Sequence, residues 1–334
     1  MTWPAGGALR AWVAACLLAG LCLPLAPARA FEPMTLEQRM AAAPGVREGY
    51  IHVSGGRVWY RVLGADRPGV PLLVLHGGPG APHDYLEPLA ALARWRPVIF
   101  YDQLGCGNSQ RPVDTALWTL KRFVTELAQV RAALTLPRVH ILGQSWGGML
   151  AVEYLLTHKP PGVTSLVLAG PCLSAPEFLA DQRRHLAALP QLARNVILEA
   201  ELAGEYGSPE YQEAMMVFYR QHLCRLDPWP ACLKRTMDKM GQEVYLHMWG
   251  PSEFTLTGTL KDYDRVSRLK ELALPVLYTC GEHDEATPAT TRLYQQATPG
   301  AQMRVFAGAS HEHHLEQPQE FLRVVEEFLE QAER

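Results

Sequence analysis

Apolar positions in residues 57–63 alternate, with Val58, Tyr60 and Val62 on one face, which predicts a strand from Arg57 to Leu63. Six short continuous apolar runs follow: Pro71–Leu75, Pro97–Tyr101, Val139–Leu142, Ser165–Ala169, Pro275–Thr279 and Met303–Ala307. Runs of this length, rich in Val, Ile and Leu, read as strands buried on both faces, as in a parallel sheet. Helical spacing appears between several of them. Phe123, Leu127, Val130 and Leu134 recur at i, i+4, i+7 and i+11, and Trp146–His158 and Phe321–Phe328 repeat in the same way. Strands alternating with helices predict a wound, mostly parallel α/β sheet flanked by helices. From about Pro171 to Asp262 the alternation stops. Phe178–Leu189, Gln191–Leu202 and Pro209–Leu223 are rich in helix formers, and no buried-strand run interrupts them. The simplest organisation is a helical cap over residues 171–262, inserted between two parts of one core at 31–170 and 263–334.

Residues 1–30 stand apart. Arg10 precedes Ala11–Leu23, 13 residues with neither charge nor proline, and Pro24, Pro27 and a small-x-small Ala28-Arg29-Ala30 follow. This is the pattern of a secretory signal, and it is shorter than the ~20 residues a bilayer span needs. The expectation is cleavage after Ala30, export to the periplasm or medium, and no stable membrane association afterwards. The rival readings are an uncleaved anchor and a lipoprotein signal ending at Cys16, although few apolar residues precede Val13-Ala14-Ala15-Cys16.

Removing Arg10 and Arg29 with that segment shifts the formal charge from -3 to -5. Charged residues make up 19% of the chain in mixed signs, which excludes a disordered acidic or basic tail, and the near-neutral balance gives no electrostatic case for nucleic acid. Five cysteines remain after Cys16 and Cys22, so at least one is a free thiol or pairs with another chain. Cys224 and Cys232 lie close together in a Pro/Trp-rich stretch where export permits a disulfide. Cys280, inside an apolar run, reads as an inert buried thiol.

The strongest chemical signal is Gly143-Gln144-Ser145-Trp146-Gly147, directly after one expected strand and directly before an expected helix. In that context G-x-S-x-G is a nucleophile elbow, which lifts a serine hydroxyl above the sheet. Outside it, the same pattern is a tight structural turn. A serine nucleophile on this architecture needs an acid and then a histidine, in that chain order. Gly281-Glu282-His283-Asp284-Glu285 follows one strand and Gly308-Ala309-Ser310-His311 follows the next, on the carboxyl side where catalytic residues of open α/β sheets gather. Asp284 is therefore the expected orienting acid and His311 the expected base. Glu282 and Glu285 compete with Asp284, and His313 and His314 read as rim histidines. His311-Glu312-His313-His314 lacks the H-E-x-x-H spacing that sets two imidazoles on one helix face, so no metal is expected. One oxyanion donor is the amide of Trp146, after the nucleophile; the other comes from the glycine loop His76–Gly80. That loop has neither G-x-G-x-x-G spacing nor the lysine of a phosphate-binding loop.

HGGPG at His76–Gly80, the stretch Tyr101–Ser109, GQSWGG at Gly143–Gly148, Gly250–Phe254 and GEHDEATP at Gly281–Pro288 together resemble the prolyl aminopeptidases (proline iminopeptidases) of the α/β-hydrolase superfamily, on the branch of the tricorn-interacting aminopeptidase of archaea. The resemblance spans nearly all of the chain after Gly49. It implies an α/β-hydrolase fold with Ser145, Asp284 and His311 as the triad and Gly78 and Trp146 as oxyanion donors. It also implies that Glu253 and Glu285 hold the free α-ammonium of a small peptide substrate, a cation that needs paired negative charge in a partly dry pocket. Read without the family, Glu285 is equally a helix-start acid ahead of Thr287-Pro288. Phe254, Trp249 and Tyr245 are wall candidates or simply cap packing. The implied activity is release of an N-terminal residue, proline first, through an acyl-enzyme without metal or organic cofactor. Its rivals are an amino-acid amidase or carboxylester hydrolase on the same framework and a non-catalytic hydrolase-fold binding protein. The exported N-terminus and the histidine-rich His311–His314 depart from the family pattern.

Overall fold

The structure, a computed structural model, describes residues 45–334. The expected signal segment and Cys16 and Cys22 lie outside the described residues. Eight strands form one sheet: β1 (Arg47–Val53), β2 (Gly56–Leu63), β3 (Leu72–Leu75), β4 (Val98–Tyr101), β5 (Val139–Gln144), β6 (Val163–Ala169), β7 (Val276–Gly281) and β8 (Gln302–Phe306). Their spatial order is β1-β2-β4-β3-β5-β6-β7-β8; β2 pairs antiparallel with both β1 and β4, and all other pairings are parallel. Helices α1 (Leu120–Ala133), α2 (Trp146–His158), α8 (Pro288–Ala297) and α10 (Pro318–Glu333) flank the sheet, with the short α9 (His313–Glu316) before the last of them. Between β6 and β7 come α3 (Ala175–Ala188), α4 (Gln191–Ala203), α5 (Pro209–His222), α6 (Ala231–Asp238) and α7 (Gln242–Met248).

Strand alternation divides the core in two. Leu73, Leu75, Ile99, Tyr101, Ile141 and Leu168 point to one face, where Phe123, Leu127 and Val130 of α1 and most of α2 pack on them. Leu72, Val74, Phe100, Leu142 and Val167 point to the other, against Leu86, Leu89 and the Phe321, Val325, Phe328 stripe of α10. Each such side chain contributes ~1.5–3 kcal/mol on burial, and the central strands carry it on both faces because helices cover both. The helices between β6 and β7 have a cluster of their own, centred on Ile197, Tyr211, Met215 and Phe218.

Three elements differ from the pattern read along the chain. β2 is buried on both faces rather than one, because Trp59 stacks on His83 at 4.4 Å and Arg61 is tied to Glu48. β8 is the sheet edge, so Gln302 and Arg304 are exposed where two-sided burial was expected. β1 gave no apolar signal, since only Ile51 on it is buried. Among the described residues, no helix is long and apolar enough to cross a membrane.

Candidate active site

β5 ends at Gln144 and α2 begins at Trp146, so Ser145 alone makes the turn, with φ 53° and ψ -120°. Its amide donates to the Ala169 carbonyl at 2.9 Å. A Cβ on Gly143 would lie 2.4 Å from the Gly147 carbonyl oxygen, and one on Gly147 would lie 2.2 Å from that of Leu75. Only glycine lets the two arms of the turn close this tightly at Gly143 and lets α2 start this close to the end of β3 at Gly147. Trp146 is the first residue of α2, so its amide has no acceptor within the helix. Neither it nor the Gly78 amide donates a hydrogen bond among the described residues. Gly78, Ser145, Trp146, His311, Glu253 and Glu285 all face one cavity of about 510 Å³.

Asp284 and His311 meet at the carboxyl ends of β7 and β8. His311 Nδ1 lies 2.7 Å from Asp284 Oδ1, which also accepts from the Ala286 amide at 2.9 Å. Asp284 Oδ2 accepts from the Gly281 amide at 3.2 Å. Gly170, just beyond β6, lies directly against the pair: a Cβ there would come within 2.8 Å of the His311 ring. Burial pushes Asp284 up, but the His311 charge, its hydrogen bond, His313 and the Ala286 amide outweigh it and hold the carboxyl below its ordinary value. Burial opposes the charged form of His311, yet Asp284, Glu285 and Glu312 surround it and raise it to about 10. His311 Nε2 lies 3.4 Å from Glu285 Oε1. No Ser145–His311 hydrogen bond forms among the described residues. In this state the imidazole is paired with a cavity carboxyl rather than with the serine.

Glu253 accepts a hydrogen bond from the Tyr245 hydroxyl at 2.5 Å, while Glu285 Oε2 is buried with no partner. Burial raises both carboxyls, Glu285 most; Glu253 and Asp284 push Glu285 further and His311 opposes them. No lysine or arginine is among the cavity-lining residues, so neither acid has a basic side chain beside it in the cavity. Glu285 does not serve as the helix-start acid. Thr287 caps α8 through its hydroxyl, and the Glu285 side chain turns into the cavity. The loop is held from above by α3. Asp181 accepts from the Thr287 amide at 3.1 Å and hydroxyl at 2.9 Å, and Gln182 donates to the Glu285 carbonyl at 3.0 Å. Tyr245 and Trp249 line the cavity, whereas Phe254 packs on Phe218 within the cap at 4.9 Å.

Several residues around the site carry no sequence signal of their own. The Tyr85 hydroxyl accepts from the Gly77 amide at 2.7 Å and donates to Gln144 Oε1 at 2.5 Å, tying the HGGPG loop to the elbow. Gln103 links the same two regions: it donates to the His76 carbonyl at 3.0 Å and accepts from the Trp146 indole at 2.8 Å. The Tyr101–Ser109 motif thus ties the HGGPG loop to the start of α2. Its Asp102 receives His83 Nδ1 at 2.7 Å and the Asn108 amide at 2.8 Å. Burial would raise Asp102, but His83 and His76 hold it down at about 2.

Two readings are corrected. His313 and His314 are fully buried rather than at the rim. His313 contacts Thr279 Oγ1 at 2.9 Å and the His311 carbonyl at 3.0 Å, and burial lowers it to about 4. Cys224 and Cys232 are unlinked thiols; Cys224 is buried under Trp229, whose indole donates to its carbonyl at 3.0 Å. Of the competing acids, Glu282 is exposed and only accepts from the Gly308 amide at 2.8 Å.

The chain matches the family model of the alpha/beta hydrolase fold over residues 70–318. A proline iminopeptidase of Heyndrickxia coagulans is 48% identical over 283 residues, 84% of this chain and 98% of that protein. One from Lactobacillus delbrueckii subsp. lactis is 39% identical, covering 85% and 98%. Among solved structures, the proline iminopeptidase of Mycobacterium smegmatis superposes with a TM-score of 0.79 at 38% identity, covering 86% of this chain and 98% of that one. VinJ superposes with a TM-score of 0.82 at 36% identity, covering 86% and 99%.

Proposed function

The chain belongs to the α/β-hydrolase fold family and, within it, to the proline iminopeptidases; from that premise we propose that it is a serine aminopeptidase releasing N-terminal proline from peptides, with Ser145 as nucleophile, His311 as base and Asp284 as orienting acid. Glu253 and Glu285 receive the α-ammonium, and the Gly78 and Trp146 amides receive the oxyanion. The observation that carries the reading is the Glu285 carboxyl, whose Oε1 lies 3.4 Å from His311 Nε2 while its buried Oε2 has no partner. An arriving ammonium pairs with Glu285 and Glu253, removes the charge that holds the proton on His311, and lowers its affinity for that proton. The freed imidazole takes the Ser145 proton as Oγ attacks the carbonyl of the first residue. His311 then protonates the leaving amine, and water cleaves the acyl-enzyme. A free N-terminus is thus required twice, for binding and for freeing the base.

Hydrolysis of a proline anilide, set beside the same anilide acylated on its ring nitrogen, tests this. The free form is expected to react at least ~100-fold faster in kcat/KM, and equal turnover would overturn the reading. Ser145→Ala should abolish both reactions. Export through residues 1–30 belongs to the same proposal, supported by the apolar run Ala11–Leu23 and the Ala28-Arg29-Ala30 site. N-terminal sequencing of exported protein should begin at Phe31.

A further inference from the structure

Two groups of residues line the cavity besides Ser145 and its amide donors. Glu253 and Glu285 belong to one, with Tyr245, whose hydroxyl donates to Glu253, and Trp249. Tyr85, Leu223, Trp229, Leu233 and Glu312 make up the other, in which Tyr85 and Leu233 share a core cluster. Glu312 is 4% exposed, and neither of its carboxyl oxygens accepts a hydrogen bond among the described residues. Its nearest charged candidate, His314 Nε2, is 3.6 Å away and already faces the Tyr85 carbonyl at 3.1 Å. Burial lowers His314 to about 3, so it stays neutral and offers no counter-charge. The Glu312 amide donates to the Leu223 carbonyl at 2.9 Å, which fixes the residue against the end of α5. A buried, unpaired carboxyl costs several kcal/mol unless a ligand group completes it.

We propose that Glu312 is a specificity residue for the second residue of the substrate, and that it selects a side chain ending in a cation, as in lysine or arginine. This rests on the aminopeptidase reading, which sets the direction of the peptide. With the α-ammonium at Glu253 and Glu285 and the scissile carbonyl at Ser145, the leaving residue extends into the lobe of Tyr85, Leu233 and Glu312. The aliphatic stem of a lysine packs along Leu223, Trp229 and Leu233, and its head reaches the carboxyl, the division of labour long basic side chains favour. Burial, with Glu316 and Asp284 adding to it and His311 opposing, raises Glu312 to about 8. A cation at hydrogen-bond distance restores the ionised form.

The experiment compares kcat/KM for prolyl-lysine amide and prolyl-norleucine amide, which share the stem and differ in the charge. Lysine should be favoured by at least ~10-fold in the unaltered enzyme, and the ratio should fall to about 1 in Glu312→Gln. Any general effect of that substitution on turnover cancels in the ratio. If Glu312→Gln does not fold, Leu233→Lys, which places a competing cation in the lobe, should suppress the lysine preference in its place. A wild-type ratio of 1 or below overturns the proposal while leaving the aminopeptidase intact, as does a lysine preference that survives in Glu312→Gln. If neither amide is cut, the aminopeptidase reading fails and this subsite fails with it.

Discussion

Asp284 and Glu285 are consecutive buried carboxylic acids, but they belong to two differently built regions. Behind the imidazole, Asp284 takes His311 and the amides of Ala286 and Gly281, so its charge is fully met inside the fold. In front of the imidazole, Glu285 and Glu312 each keep a buried oxygen without a partner. The floor is finished by folding; the cavity is finished by its substrate. A satisfied carboxylate holds geometry, and an unsatisfied one marks where a ligand's opposite charge belongs.

The largest effect should come from the floor. Asp284→Asn keeps the shape but removes the charge that orients His311, and kcat should fall by about 10⁴; a loss under tenfold in steady-state assays would erase the distinction. Glu285→Gln should act on the cavity instead. kcat/KM for a free-amine substrate should fall by ~10²–10³, while the blocked substrate is cut as fast as before or faster, because the base loses its proton more readily, so the ratio of the two collapses. The same variant sharpens the comparison through pH. Inactivation of the free enzyme by a small sulfonyl fluoride, which carries no amine, follows loss of the His311 proton. Its rate should rise towards a midpoint near about 10. Carboxylates stabilise the imidazolium, so removing Glu285 lets the proton leave at lower pH and the midpoint moves down. An unmoved midpoint would separate Glu285 from the base. The smallest effect is expected from Glu282→Gln, outside both regions: Tm within about 1–2 °C of wild type and unchanged kinetics.

The sheet and elbow were legible because their causes are local. Apolar runs such as Val139–Leu142 and Ser165–Ala169 fit strands covered on both faces, and Gly143 is dictated by a contact inside one turn; Gly147, required by the Leu75 carbonyl of a neighbouring strand, was marked by the G-x-S-x-G pattern itself. The pairing of Asp284 with His311 follows from each standing just after one of two successive strands. β1 was not legible, since its partner β2 rather than its own side chains makes it a strand. Tyr85 and Asp181 gave no signal, and Gln103 only as part of the Tyr101–Ser109 motif without a role, because each acts on a loop 59, 106 or 43 residues distant along the chain. His313 and His314 misled for a simpler reason: burial holds both imidazoles neutral, His313 with partners at both nitrogens and His314 with one at Nε2, and a neutral imidazole is an acceptable core residue.

The five cysteines of the described residues are all unlinked, and four of them are buried. Burial raises the thiols, Cys224 to about 12, so little thiolate forms to react. The fold is therefore complete without any oxidant. Its cohesion should be the same in reductant-rich cytosol and in an oxidising extracellular medium, and dithiothreitol should leave its unfolding curve where it was.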